Sequence, residues 1–284
     1  MRLIVFALLA SLTLAPSSTA RPTALQGHIV DVAIHSRALS GVVHARVYLP
    51  PAYATSGLAY PTLYFLHGLP GSSLSYIVHS AHVAQLVESL PATAIVVFPQ
   101  GARAGDTDDE YNDLGPGHNW ERFIATELPA YIDKHFRTIP NRGARAIIGV
   151  SAGGYGAAIA GLHHLATFSV VESWSGYFRP TDPTGTHVVR RRSPAWDAEA
   201  SAFTLVPWLA GAFTREPSYL AFYVGSADHH FVPDNVTFDQ DLTTANVAHQ
   251  FQVYPGGHSW QLWDTHAGEW LGAAFAHLTA ARSP

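Results

Sequence analysis

The sequence predicts one doubly wound α/β domain on a mostly parallel sheet, edged at its N-terminus by an antiparallel hairpin. Three observations predict it. Short apolar runs alternate along the chain with stretches of helical spacing, and no linker splits them. Most of these runs are continuously apolar, as strands covered on both faces must be. Hydrophobic residues make up 48% of the 284 and charged residues 13%, which is enough for a large core and too apolar for a disordered chain.

The elements follow in order. Met1-Arg2, the apolar stretch Leu3 to Ala15 and the small residues Ser18-Thr19-Ala20 read as a secretory signal cleaved after Ala20, leaving 21–284 as the mature, exported domain. The apolar run is shorter than the roughly 20 residues a membrane span needs, so no stable membrane insertion is expected after cleavage. Ile29–Ile34 and Val42–Leu49 are β-rich runs joined by a short polar turn, the expected edge hairpin, and Pro50-Pro51 stops the second. Thr62–Leu66 is a buried strand ending in His67-Gly68-Leu69-Pro70-Gly71. Ser75 to Leu90 reads as helix and Ala94–Phe98 as the next buried strand.

From Pro99 to His118 the chain is polar. Asp106, Asp108 and Glu110 alternate as calcium ligands would, but Tyr111 stands where an EF-hand loop needs glycine, so a solvated loop is the expectation and no metal is assigned. Asn119 to Phe136 has helical spacing, with a kink expected at Pro129. Arg145–Ile148 is a buried strand, Tyr155–Leu162 a closely packed helix, and Phe168–Trp174 a further strand. Residues 177–217 read as a small helical cap insertion, with Arg190-Arg191-Arg192 a solvated surface run. Tyr219–Val224 and Gln250–Tyr254 are the last strands. Helices over about 234–246 and from Trp260 to about Ala280 follow them.

The net charge is −5 with Lys134 the only lysine, which argues against nucleic acid as a partner. Cysteine is absent, removing thiol catalysis, disulfides and cysteine-based zinc sites together.

Chemistry concentrates where strands end, the place where ligands bind in open α/β sheets. Gly149-Val150-Ser151-Ala152-Gly153-Gly154 lies between a strand and a helix. In that context Gly-x-Ser-x-Gly forms a tight turn with the serine at its tip, and Gly149 and Gly153 leave the room it needs. A serine is a weak nucleophile without a base, and the base must itself be oriented. His258 is the candidate base, directly after the last strand and preceded by glycines. Asp228 is the candidate orienting acid, because it alone follows a buried strand immediately, whereas its rivals Asp182 and Asp234 do not. The developing oxyanion needs fixed donors. One expected donor is the N–H of Ala152, after the nucleophile, and the other is the N–H of Leu69 in the 67–71 loop. Trp120, Trp260 and Trp263 are candidates for lining an acyl or sugar pocket, although packing is the commoner role of tryptophan.

His67-Gly68-Leu69-Pro70-Gly71, Gly149–Gly154 and Gly256-Gly257-His258-Ser259-Trp260 resemble the putative-esterase family of α/β-hydrolases. So does Glu127–Asp133, which matches the family's helix before the elbow strand. The family includes esterase D-type carboxylesterases, feruloyl esterases and bacterial mycolyltransferases, and the resemblance runs from about Val30 to the last helix. It implies an α/β-hydrolase fold, Ser151, Asp228 and His258 as catalytic triad, Leu69 and Ala152 as oxyanion donors, and no cofactor. The implied substrate is a small-molecule or glycan-linked ester. Mycolyltransferases usually carry an acidic residue where His67 stands and a glutamate as triad acid, so the resemblance tilts toward hydrolysis. The alternatives are an acyltransferase passing the acyl group to a sugar or lipid hydroxyl, and a non-catalytic binding or cell-wall protein on the same fold. A metal-dependent hydrolase built on His79 and His82, or on His229 and His230, lacks a convincing partner set.

Overall fold

A computed structural model of the chain describes residues 24–69, 72–104, 111–180 and 193–283. The proposed leader (1–20), the Asp106/Asp108/Glu110 alternation, Asp182 and Arg190–Arg192 lie outside the described residues. Eight strands form one sheet: β1 (His28–Ser36), β2 (Gly41–Leu49), β3 (Thr62–Leu66), β4 (Ile95–Pro99), β5 (Arg145–Val150), β6 (Val170–Trp174), β7 (Tyr219–Gly225) and β8 (Gln250–Tyr254). Their order is β1-β2-β4-β3-β5-β6-β7-β8. β1 and β2 pair antiparallel, β2 meets β4 antiparallel, and every other pairing is parallel. The edge hairpin and the parallel body are those the sequence predicts. The runs buried along their whole length, β3, β4, β6 and β7, all lie inside the sheet, whereas the exposed pattern of β8 marks the opposite edge.

The helices are α1 (Tyr53–Ser56), α2 (Ser75–Val78), α3 (Ser80–Glu88), α4 (Trp120–Arg122), α5 (Leu128–His135), α6 (Ala152–His163), α7 (Pro194–Glu199), α8 (Val206–Arg215), α9 (Val232–Thr244) and α10 (Trp260–Ala276). None of the described helices is long and apolar enough to cross a membrane. Because strand side chains alternate between faces, the sheet divides the core in two. Tyr64, Leu66 and Ile147 join α5, α6 and α9 on one face. Leu63, Phe65, Ile148 and Val150 join α3 and α10 on the other.

Three details depart from the sequence expectation. The helix changes form just before Pro129. A π turn, Phe123–Glu127, joins α4 to α5, and the N–H of Leu128 reaches back five residues to Phe123 O. The wider turn absorbs the proline, which cannot donate and whose ring would crowd the carbonyl four residues before it. The predicted helix 75–90 is two helices, α2 and α3. The described part of 177–217 is helical, but it packs into the body. Phe178 stacks on Phe238 of α9 at 4.0 Å, Tyr155 Oη donates to Ala200 O at 2.7 Å, and Ala202, Val206 and Leu209 are buried in the core of that face.

One buried polar contact ties α4 to α6. The Glu121 carboxylate accepts from His163 Nδ1 at 2.8 Å and His164 Nε2 at 3.2 Å. Burial alone would raise this carboxyl, but the two imidazoles outweigh it and hold it down at about 2. Burial likewise disfavours the His163 cation, and the Glu121 contact overrides it and raises the group.

Candidate active site

The chain after β5 turns so sharply that Ser151 takes φ 58°, ψ −123° before α6 begins. Such a conformation in a non-glycine residue costs on the order of 1–3 kcal/mol. Its surroundings hold it: Ser151 N–H donates to Trp174 O at 2.9 Å, and its carbonyl accepts from Tyr155 N–H at 3.1 Å. The flanking glycines are required by close approach. A Cβ on Gly149 would meet Gly153 O at 2.1 Å, and one on Gly153 would meet Leu66 O at 2.1 Å. Gly68 is similarly confined, since a Cβ there would meet the Ser151 Cβ at 2.9 Å. Every residue of α6 from Ala152 to Leu162 is buried, so its small side chains let the helix lie directly on the sheet.

The loops after β7 and β8 bring the other two predicted residues to this turn. Ser151 Oγ–H donates to His258 Nε2 at 2.9 Å, and His258 Nδ1–H donates to Asp228 Oδ2 at 2.6 Å. The bond to the carboxylate sets the tautomer that leaves Nε2 free to accept. Asp228 is 4% exposed, and its loop is braced by its own N–H to Gly225 O at 2.9 Å and by Val232 N–H to its carbonyl at 3.0 Å. The His258 ring sits between Phe231 and Trp263, each 5.2 Å away centre to centre. The rival Asp234 is engaged elsewhere, accepting from Phe178 N–H and from the Arg179 guanidinium, each at 2.8 Å.

Ala152 opens α6, where the first N–H groups have no helical acceptor. Leu69 ends the described part of the β3 loop and lines the same cavity as Ser151. Neither N–H is committed to another acceptor among the described residues.

The cavity over Ser151 measures about 450 Å³. Phe65, Phe98, Val150 and Trp263 give it apolar walls, and Trp260 forms part of its rim. The Trp260 ring lies tilted against His79 at 4.1 Å and meets His82 edge-on, while His82 Nε2 pairs with Asp264 at 2.6 Å. These histidines support an aromatic rim, and the described residues hold no group of three or more side chains suited to a metal ion. Trp120 is a correction. It is fully buried, packed edge-on against Phe123 in the core of the opposite sheet face, and has no access to the cavity. Likewise, no described residue of 193–217 lines the cavity.

His67 lies under the site. Its Nδ1–H donates to Gly68 O at 2.9 Å, its backbone carbonyl accepts from Tyr111 Oη at 2.8 Å, and its buried Nε2 has no partner among the described residues. Burial lowers this imidazole to about 4, which keeps it neutral. Tyr111 also closes on α6, since a Cβ on Gly156 would meet its ring at 2.5 Å. Sequence reasoning missed Phe65, Phe98, Tyr76 and His79 as lining residues. Phe65 and Phe98 signalled it only by position near strand ends, and Tyr76 and His79, in and just after α2, carried no sequence signal.

A family model described as putative esterase matches residues 36–267. The chain is 32% identical over 237 residues to Esterase MT1326 of Mycobacterium tuberculosis, an alignment covering 75% of this chain and 51% of that protein. It thus spans about half the length of the curated relatives it matches. Among solved structures, a ferulic acid esterase superposes with a TM-score of 0.74 at 27% identity, covering 90% of this chain and 100% of the other. An S-formylglutathione hydrolase from Agrobacterium tumefaciens shares the fold, with a TM-score of 0.73 at 21% identity over 92% of this chain and 99% of its own.

Proposed function

The chain belongs to the putative-esterase family of α/β-hydrolases, and on that premise we propose that it is a serine carboxylic-ester hydrolase working through an acyl-enzyme on Ser151. The observation that carries the proposal is the hydrogen-bonded line Ser151–His258–Asp228, assembled from three separate strand ends at the mouth of one cavity. In the proposed cycle Ser151 Oγ attacks the ester carbonyl carbon while His258 Nε2 takes its proton. The imidazolium is stabilised by the Asp228 carboxylate, and the Leu69 and Ala152 N–H groups receive the oxyanion. His258 returns the proton to the leaving alkoxide, and the alcohol departs. Water then enters, loses a proton to His258 and attacks the acyl carbon. Collapse of the second tetrahedral species frees the acid and restores Ser151. No step calls for a cofactor.

The same acyl-enzyme would serve an acyltransferase, with a sugar or lipid hydroxyl in place of that water. We read residues 1–20 as a secretory leader, so the working protein begins near Arg21, which N-terminal sequencing of exported protein tests. For the activity itself, the test is a panel of aryl esters of graded chain length, together with a feruloyl ester, on wild type and Ser151→Ala. Parallel runs carry added trehalose or glycerol. The proposal expects hydrolysis that falls about 10⁶-fold in the variant, with free acid as the main product even when an acceptor alcohol is present. Activity surviving in Ser151→Ala would overturn the mechanism, and acyl transfer dominating over hydrolysis would establish the transferase.

A further inference from the structure

Cross-strand register lays one row of side chains across the cavity face of the sheet. Ile148 of β5 stands opposite Phe65 of β3. Tyr64 pairs with Val97, so Phe65 and Phe98 come side by side, rings 6.2 Å apart. Phe98 stands opposite Arg46 of β2, and Arg46 opposite Asp31 of β1. Val150, two residues beyond Ile148, shares that face. Three strand spacings separate β5 from β2, so the row runs about 14 Å sideways from the base of the Ser151 turn.

Along this row the character of the cavity changes. Near Ser151 its walls are Phe65, Phe98, Val150 and Trp263. Where the row reaches β2, the lining residues are Tyr76 and Ser80. Ser80 Oγ is fully engaged, accepting from Arg46 Nη1 at 3.1 Å and donating to Ile77 O at 2.9 Å. The Arg46 Nε in turn donates to Asp31 at 3.0 Å. Tyr76 differs. It is 9% exposed and lies within reach of the Asp31 and Arg46 charges, yet its hydroxyl has no hydrogen-bond partner among the described residues. This hydroxyl lies on the cavity wall and keeps contact with solvent, so a ligand oxygen can take the place of water there, an exchange that is modestly favourable.

We propose that the Tyr76 hydroxyl forms a distal polar subsite, which hydrogen-bonds an oxygen at the far end of an otherwise apolar acyl group seated on Phe65 and Phe98. The inference rests on the reading of Ser151 as the acylated residue. It narrows the substrate class to esters of acids with an apolar middle and a hydroxyl, ether or carbonyl oxygen at the tip. Tyr76 lies far from the reacting atoms, so its effect belongs in binding, as a change of KM with kcat largely kept.

The test is kcat and KM for p-nitrophenyl alkanoates of graded length and their ω-hydroxy counterparts, on wild type and Tyr76→Phe. At the chain length whose tip reaches Tyr76, wild type should prefer the ω-hydroxy ester by about 10-fold, mostly through KM. Tyr76→Phe should erase that preference, read as the ratio of the two series within each protein. Equal treatment of the two series by wild type at every length would overturn the subsite, as would a preference that persists in Tyr76→Phe. Labelling of Ser151 by a fluorophosphonate in both proteins separates the failures. Normal labelling with no ω-hydroxy preference sinks the subsite alone, and absent labelling sinks the serine mechanism with it.

Discussion

Replacing Gly153 by alanine tests whether the turn at Ser151 is held by close packing of α6 against β3. The new Cβ would stand 2.1 Å from Leu66 O and 2.6 Å from His67 O, and real Cβ contacts essentially never fall below 3.0 Å. Leu66 pairs with Gly149 of β5 and the His67 carbonyl already accepts from Tyr111 Oη, so both have little room to yield. The first turn of α6 must therefore rise by about 1 Å, carrying Ser151 away from His258, and a misplacement of that size costs about 100-fold in turnover. Overpacking of this kind also destabilises by about 1–3 kcal/mol. The assay pairs kcat/KM on a p-nitrophenyl ester with urea unfolding of the same preparation. The expected result is a folded protein, modestly less stable and about 100-fold slower. Activity within a few-fold of wild type in a stable Gly153→Ala protein would refute the claim that this contact sets the nucleophile.

Three further outcomes follow from the same geometry. Asp228→Asn keeps the shape but favours the wrong imidazole tautomer, so kcat should fall about 10⁴-fold with unfolding little changed; a loss under 10-fold would contradict the role given to Asp228. Glu121→Gln should remove a pH-dependent part of stability. The Glu121 carboxyl is depressed on folding, so its contribution is present above pH 4.5 and lost as pH falls toward 2. His163 is raised on folding, so its contribution is present below pH 6.5 and lost as pH rises through its folded value. The stability gap between wild type and variant should thus be widest between about pH 4.5 and 6.5, at most about 3 kcal/mol, and a gap flat from pH 3 to 8 would contradict it. Trp120→Ala should cost about 3–5 kcal/mol of stability and leave KM unchanged for every ester, whereas a raised KM would return Trp120 to the cavity.

The sequence showed most where a motif and a strand end coincide. Ser151 directly follows a buried strand, Asp228 stands just beyond another and His258 just beyond the alternating edge strand β8, and the structure joins them by two short hydrogen bonds. Gly149 and Gly153 were readable because only the smallest residue fits so tight a turn. The side of the sheet on which a residue lies was not readable. Trp120 and Trp260 look alike in sequence, yet the first is buried in the core of the opposite sheet face and the second packs against His79 on the cavity wall. The row from Phe65 to Arg46 was hidden for a related reason. It depends on the order β2-β4-β3-β5, in which neighbours in space are not neighbours in the chain. The π turn before Pro129 was hidden too, because helical spacing tolerates one extra residue per turn without changing which side chains are apolar.

The proposed mechanism is tested most directly by treating folded protein with a fluorophosphonate and locating the adduct by peptide mass spectrometry. The account predicts a single adduct on Ser151, slowed at least 100-fold by His258→Ala and abolished by prior unfolding. An adduct on another residue, or none on the folded chain, would contradict it.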